Sequence, residues 1–324
     1  LAGPLNNLII KYQFNSKIES RFKLPYTLVV LLFVILLGII FSSFIMGSDF
    51  IINQTQQLYD ALTSPFGNDR WQLTVAEAYQ PYLTDLIAQV GWKFFWTYTI
   101  GSIMIVYYLM KGFPRKVLIS SISLYTLFSL GFRFSRYSPN ATNLNGTSLI
   151  SNVFYFGSLL ILIVAFLGYY LYCYYKNKDL FEKLMHLDQR LIFVLIWLFI
   201  LSVGSRSAIR LHFIFSVIMV LLAAYLGIKL FDYSLKLKKD LYKISIWIIL
   251  FFVFINPFAF ATNFAYGVFN KGVIIDHSQQ TINQAKYISP GYNQQWQLAG
   301  KWVRENTKDD AVFSHWWDYG YFIQ

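Results

Sequence analysis

Charge is scarce in this sequence. Asp, Glu, Lys and Arg make up only 13% of its 324 residues, about half the share soluble domains carry. Acidic residues are the scarcer sign, 16 against 27 basic ones. Cysteine is nearly absent. The single one, Cys173, lies inside an apolar run, which excludes intramolecular disulfides and cysteine-built metal centres. The four histidines, His186, His212, His277 and His315, fall at no ligand spacing. Internal repeats and low-complexity tracts are missing too. What fills the chain is apolar: 56% hydrophobic and 20% aromatic residues, with a mean hydropathy of +0.46. This is the composition of a polytopic membrane protein. The net charge of +11 does not mark a nucleic-acid binder. The basic residues sit in short connections between apolar runs, as positive-inside topology requires, and form no stripe.

Leu1 to Lys23 is polar and basic, with Lys11, Lys17, Arg21 and Lys23 ahead of the first apolar run. That bias puts residues 1–24 in the cytoplasm. Pro25 to Gly47 is uncharged and long enough to cross about 30 Å of hydrocarbon. Residues 48–91 then form the longest polar connection, an expected external loop, and a loop of that length in a compact protein is usually functional. Six apolar runs follow, roughly Trp92–Met110, Val117–Phe132, Leu149–Tyr172, Leu191–Val203, Leu211–Phe231 and Ile244–Phe260. Lys111 to Lys116, Tyr175 to Arg190 and Asp232 to Lys243 supply the basic connections on the inner side. The crossings return the chain outside, so residues 25–262 read as an all-α transmembrane domain and 263–324 as the start of an α/β extracytoplasmic domain. In the latter, Asn293 to Asn306 has helical periodicity, with Trp296, Ala299, Trp302 and Val303 on one face. Ala311-Val312-Phe313-Ser314 is a short β-like run.

That run leads into His315-Trp316-Trp317-Asp318-Tyr319-Gly320. Indoles give flat surface and N–H donors, and Asp318 gives an acceptor for a hydroxyl. The plain reading is an aromatic turn packed on a core. However, Trp-Trp-Asp-Tyr-Gly resembles the signature of the catalytic subunits of asparagine-linked oligosaccharyltransferases. The resemblance implies that Trp316, Trp317, Asp318, Tyr319 and Gly320 bind the acceptor polypeptide, reading the Ser or Thr of Asn-X-Ser/Thr. A second motif fits the same family: Thr74-Val75-Ala76-Glu77, on the long outer loop. A loop carboxylate is usually just solvated. The resemblance makes Glu77 catalytic, reaching both a divalent metal (Mn or Mg) and the acceptor amide. A third candidate is Arg210, in Ser207-Ala208-Ile209-Arg210-Leu211. Its plain role is a snorkelling anchor at the membrane boundary. By resemblance it contacts the diphosphate of the lipid donor, which a planar guanidinium suits. Arg133, Arg136 and Arg206 are also expected on the outer side.

The resemblance therefore implies a GT-C type glycosyltransferase of a multi-pass membrane, a prokaryotic plasma membrane foremost. It would transfer an oligosaccharide from a polyprenyl diphosphate to Asn on the extracytoplasmic face. Its partners would be the lipid-linked donor, the acceptor chain and the bilayer, with no nucleic acid. The carboxamide nitrogen is a poor nucleophile, and carboxylates with a metal weaken its conjugation while a cation stabilises the leaving diphosphate. Two points depart from the family pattern. The remaining metal ligands are expected upstream of Leu1, so this stretch alone is expected to be inactive. Six crossings follow the Glu77 loop where the family usually has four, which an inserted hairpin around Val117–Tyr172 would explain. Two alternatives stand: another membrane glycosyltransferase using polyprenyl-phosphate sugars, and a transporter. Transporters place polar groups within spans near the midplane, whereas charge here clusters in connections. Three triplets, Asn53-Gln54-Thr55, Asn140-Ala141-Thr142 and Asn145-Gly146-Thr147, have the form of glycan acceptors.

Overall fold

The structure is a computed structural model, and it describes residues 14–63, 79–256, 271–287, 294–308 and 310–312. The chain divides into two units, Leu1–Trp247 and Ile248–Gln324.

Among its described residues the first unit is mostly helical. Its elements are α1 (Phe14–Phe22), α2 (Tyr26–Met46), α3 (Ser48–Thr63), α4 (Leu83–Met110), α5 (Arg115–Phe134), α6 (Leu149–Lys176), α7 (Lys178–Met185), α8 (Gln189–Ser207), α9 (His212–Leu235) and the first turns of α10 (Asp240–Leu250). A 3₁₀ turn, Ile209–Leu211, leads into α9. Five stretches are long and apolar enough to cross a membrane: Tyr26–Met46, Arg115–Phe134, Leu149–Lys176, Gln189–Ser207 and Ile209–Leu235. Each coincides with a run expected from the sequence.

The other two expected crossings differ in instructive ways. Helix α4 spans 28 residues, about 42 Å at 1.5 Å per residue, more than the hydrocarbon needs. Gly91 breaks it with φ +75°, so the run expected from Trp92 starts one residue past the break. Its second part carries Lys93, Thr97, Thr99, Gly101 and Ser102, which lowers its apolarity because it lies inside the bundle instead of facing lipid. Helix α10 continues into a π turn, Phe251–Ile255, and the rest of the expected run to Phe260 lies outside the described residues. The described residues of the expected external loop 48–91 include helix. The loop begins with α3 and ends with the first turns of α4.

Helix α4 is the axis of the unit. Phe95, Tyr98, Ser102 and Ile105 on α4 and Phe215, Ile218, Met219 and Leu222 on α9 are all 2% exposed or less. Gly101 makes this possible. A Cβ there would run into the backbone carbonyl of Leu222, closer than side-chain atoms approach. Among membrane helices, where lipid is as apolar as leucine, such close packing is the main source of association. Hydroxyls along α4 are satisfied locally, with Thr97, Thr99 and Ser102 each donating to a carbonyl of the preceding turn. In contrast, α2 buries no residue of its own and exposes Leu31, Phe33, Val34, Phe41 and Phe44.

The ends of the helices separate into two sets. At one, Tyr175 donates to the Lys23 carbonyl at 2.6 Å, Thr27 pairs with Tyr170, and Lys111 and Lys229 sit over the Tyr108 ring. These are the basic connections. At the other lie the end of α5, the beginning of α6, the end of α8 and the start of α9. There residues 136–145 form a short hairpin: Arg136 and Asn145 make an antiparallel bridge, and the Tyr137 amide donates to Leu144 at 2.7 Å.

In the second unit, α11 (Val273–Tyr287) starts against the π turn, with the Gly272 amide donating to the Asn256 carbonyl at 2.7 Å. Helix α12 (Gln294–Asn306) matches the expected helix almost residue for residue. Asn306 ends it by donating to the Trp302 carbonyl at 2.9 Å. Ala311 and Val312 are in irregular backbone, and the β-like run continues outside the described residues.

A candidate anion pocket of arginines

Three arginines converge at the hairpin end of the first unit. They line a partly open cavity of about 50 Å³ with Tyr82, Phe132, Ser205, His212 and Phe215, room for a few water molecules or one small anionic group. Each guanidinium is held in place from two sides. Arg133 donates to Thr99 Oγ1 at 2.7 Å and lies 4.7 Å from the Tyr98 ring centroid. Arg136 donates to the carbonyls of Gln80 and Pro81, both at 3.2 Å, over the Tyr82 ring at 4.2 Å. Arg206 donates to the Phe132 carbonyl at 3.0 Å and to Ser135 Oγ, and lies 3.9 Å from the Tyr155 ring centroid. A π turn in α6, Val153–Gly157, carries that tyrosine; such turns recur at functional sites. Guanidiniums stacked on ring faces lose little from desolvation and stay oriented.

Among the described residues none of the three is paired with a carboxylate. Asp85 acts electrostatically on Arg136, but its carboxylate is committed to α4, accepting from the Tyr82 amide at 2.7 Å. Burial lowers the pKa of Arg136 from its ordinary value, opposed by Tyr82 and Asp85. Five N–H donors per guanidinium exceed the bonds each makes here, so the pocket offers positive charge and free donors to an anion. At its edge His212 is buried, with Nδ1 2.9 Å from Gln89 Oε1.

The segment Tyr79–Asp85 closes one side. The Ile209 amide donates to the Tyr79 carbonyl at 3.1 Å, and Leu83 and Thr84 donate to the carbonyls of Arg136 and Tyr137 at 2.9 and 3.1 Å. Tyr79 stands two positions after Glu77 in sequence, and Ile209 one before Arg210. Burial, and then the negative charge of Asp85, raise the pKa of Tyr79.

Arg210 is exposed on the 3₁₀ turn and does not line the cavity. Glu77 lies outside the described residues, as do Trp316, Trp317, Asp318, Tyr319 and Gly320. Among the described residues no group of three His, Cys, Asp or Glu could hold a metal ion. The signal that finds the pocket was present in the sequence. Arg133, Arg136 and Arg206 stand at the side opposite the basic connections, against the positive-inside bias. Cations that oppose topology need another reason to be there.

These features define a class, a helical protein with five stretches long and apolar enough to cross a membrane and an arginine-lined pocket at one end of its bundle. Comparison of the chain with family models, with curated proteins and with solved structures gives no match.

Proposed function

We propose that this chain belongs to an asparagine-linked oligosaccharyltransferase of the GT-C type. It transfers a glycan from a polyprenyl diphosphate to Asn of Asn-X-Ser/Thr at the extracytoplasmic face of a prokaryotic plasma membrane. The observation that carries the reading is the arginine pocket, unpaired by acid and closed by the segment that follows Glu77. A snorkelling anchor would reach outward to water. These guanidiniums turn instead into a cavity between helices.

In this reading Arg133, Arg136 and Arg206 hold the diphosphate of the donor, with Arg210, exposed on the 3₁₀ turn, meeting it as it arrives. Charge grows on the bridging oxygen as the sugar departs, and preorganised cations stabilise it there more than they stabilise the intact donor. The apolar helix faces accommodate the polyprenyl tail. Glu77 engages the acceptor amide, and Trp316, Trp317 and Asp318 hold the Ser or Thr hydroxyl, at the opening of an α/β domain outside the membrane. The divalent metal that the resemblance implies would take Glu77 and carboxylates upstream of Leu1; no step here is derived through it.

The test uses membranes carrying the complete gene product, lipid-linked glycan and a labelled Asn-Ala-Thr peptide. Glycopeptide should form, require divalent metal, and vanish in Glu77→Ala. Glycopeptide that persists in Glu77→Ala removes that residue from the site. A folded protein that modifies no peptide, yet transfers sugar from a polyprenyl-phosphate donor to another acceptor, favours the related glycosyltransferase reading.

A further inference from the structure

Three triplets of the chain have the form of glycan acceptors, and the structure separates them sharply. Asn53-Gln54-Thr55 lies within α3, and its Thr55 hydroxyl donates to the Ile51 carbonyl at 2.7 Å. A triplet wound into a helix, with its hydroxyl turned back on the backbone, cannot present both side chains to one site. Asn145-Gly146-Thr147 is sealed by its own hydrogen bonds. Asn145 Oδ1 accepts from the Thr147 amide at 3.0 Å, the Thr147 hydroxyl at 3.2 Å and the Ser148 amide at 2.8 Å. Beside it Gly146 holds φ +87° against the Arg136 side chain, so this corner cannot open without unseating a pocket arginine.

Asn140-Ala141-Thr142 is different in each respect. It lies between the bridged residues of the 136–145 hairpin, where a turn is closed by the Ala141 amide on the Ser138 carbonyl at 3.2 Å. Asn140 and Thr142 are both exposed. Neither the carboxamide of Asn140 nor the hydroxyl of Thr142 makes a hydrogen bond among the described residues. The hairpin base is fastened through Arg136 to the Gln80 and Pro81 carbonyls, so the tip is presented on a fixed stalk at the same end as the arginine pocket.

We infer that Asn140 is a glycan-bearing residue of this protein, and that Asn53 and Asn145 are not. The inference rests on the reading above, that Asn-X-Ser/Thr is the acceptor at this end of the bundle. In the step itself, the Asn140 carboxamide nitrogen forms a bond to the anomeric carbon of a polyprenyl-diphosphate-linked sugar. The bond from that carbon to the diphosphate oxygen breaks, the diphosphate leaves with the electron pair, and one amide proton passes to a carboxylate of the transferring site. The modification needs both members of the triplet, since the hydroxyl is what the transferring site reads.

The experiment purifies the full-length protein from cells that make its lipid-linked donor and reads the 137–147 segment by mass spectrometry. The same membranes are assayed with the labelled Asn-Ala-Thr peptide. A glycan mass is expected on Asn140, lost in Asn140→Gln and Thr142→Ala, retained in Thr142→Ser, and unaffected by Thr147→Ala. The retention in Thr142→Ser separates triplet recognition from a mere change in loop structure. If the free peptide is glycosylated while Asn140 is bare, or Asn145 carries the glycan, the inference is overturned and the transfer reading stands. Asn140 glycosylated with no transfer to the free peptide upholds the site and sinks the transfer reading. Neither modified overturns both.

Discussion

Gly101→Ala is the sharpest test of how the bundle is held. The added methyl meets the Leu222 carbonyl on α9. That atom is backbone, fixed by helix hydrogen bonds, and cannot rotate aside. Inserting a methyl into a packed core costs about 1–3 kcal/mol, and a backbone obstacle belongs in the upper half of that range. Against this, alanine exceeds glycine in helix propensity by about 1 kcal/mol. The net expectation is a loss of about 1–2 kcal/mol, taking these two values together. Gly38 on α2 is the control, because nothing lies within 4 Å of a Cβ placed there. Gly38→Ala keeps the propensity gain without the clash. The two variants should therefore differ by about 2–3 kcal/mol, or roughly 4–12 °C in Tm at about 2–4 °C per kcal/mol. Thermal unfolding in a single detergent, read by loss of monodisperse protein, makes the comparison. If Gly101→Ala proves as stable as Gly38→Ala, the close crossing of α4 and α9 is not as described.

Two further outcomes follow from the pocket. Arg206→Ala removes a charged hydrogen bond to the Phe132 carbonyl, which keeps the Ser135 hydroxyl, and bares the Tyr155 ring face, so stability should fall by about 1–3 kcal/mol. Pyrophosphate binding, measured by calorimetry in detergent, should weaken at least about tenfold, and Arg206→Lys should recover only part because it keeps the charge but not the planar fork; equal affinity in all three would refute an anion site. Tyr79 supplies a pH test. Its folded pKa is raised above the ordinary 10.0, so the fold favours the neutral phenol. The stability this adds is fully present below pH 10 and is lost as pH rises through the higher folded pKa. Tyr79→Phe should flatten the fall in Tm between pH 9 and 11, and parallel curves for the two proteins would contradict the assignment.

Much of the helical scaffold was legible from the sequence, because an uncharged run of lipid-spanning length has few other uses. Tyr26–Met46 and Gln294–Asn306 begin and end within a residue or two of expectation, at Pro25, Gly47 and Asn306. What was not legible depends on the third dimension. Composition makes 48–91 look like an open loop, yet α3 and the first turns of α4 form there. The preference for Arg210 over its neighbours came from its place in a motif. The structure brings Arg133, Arg136 and Arg206 together, through partners 34 to 74 positions away in sequence. No local pattern announces that Thr99 receives Arg133 or that Phe132 receives Arg206.

Helix α2 buries none of its residues and is tied to the bundle near its start, through Thr27 and the Lys23 carbonyl. A helix without packed neighbours takes its tilt from the thickness of the bilayer. Its 21 residues give about 31 Å of length, and Gly47, at φ +89°, turns the chain directly into α3. Tied near its start, α2 has the freedom to take the tilt that a bilayer of a given thickness sets. Any change in its tilt would be passed at Gly47 to α3, the helix that opens the connection containing Glu77.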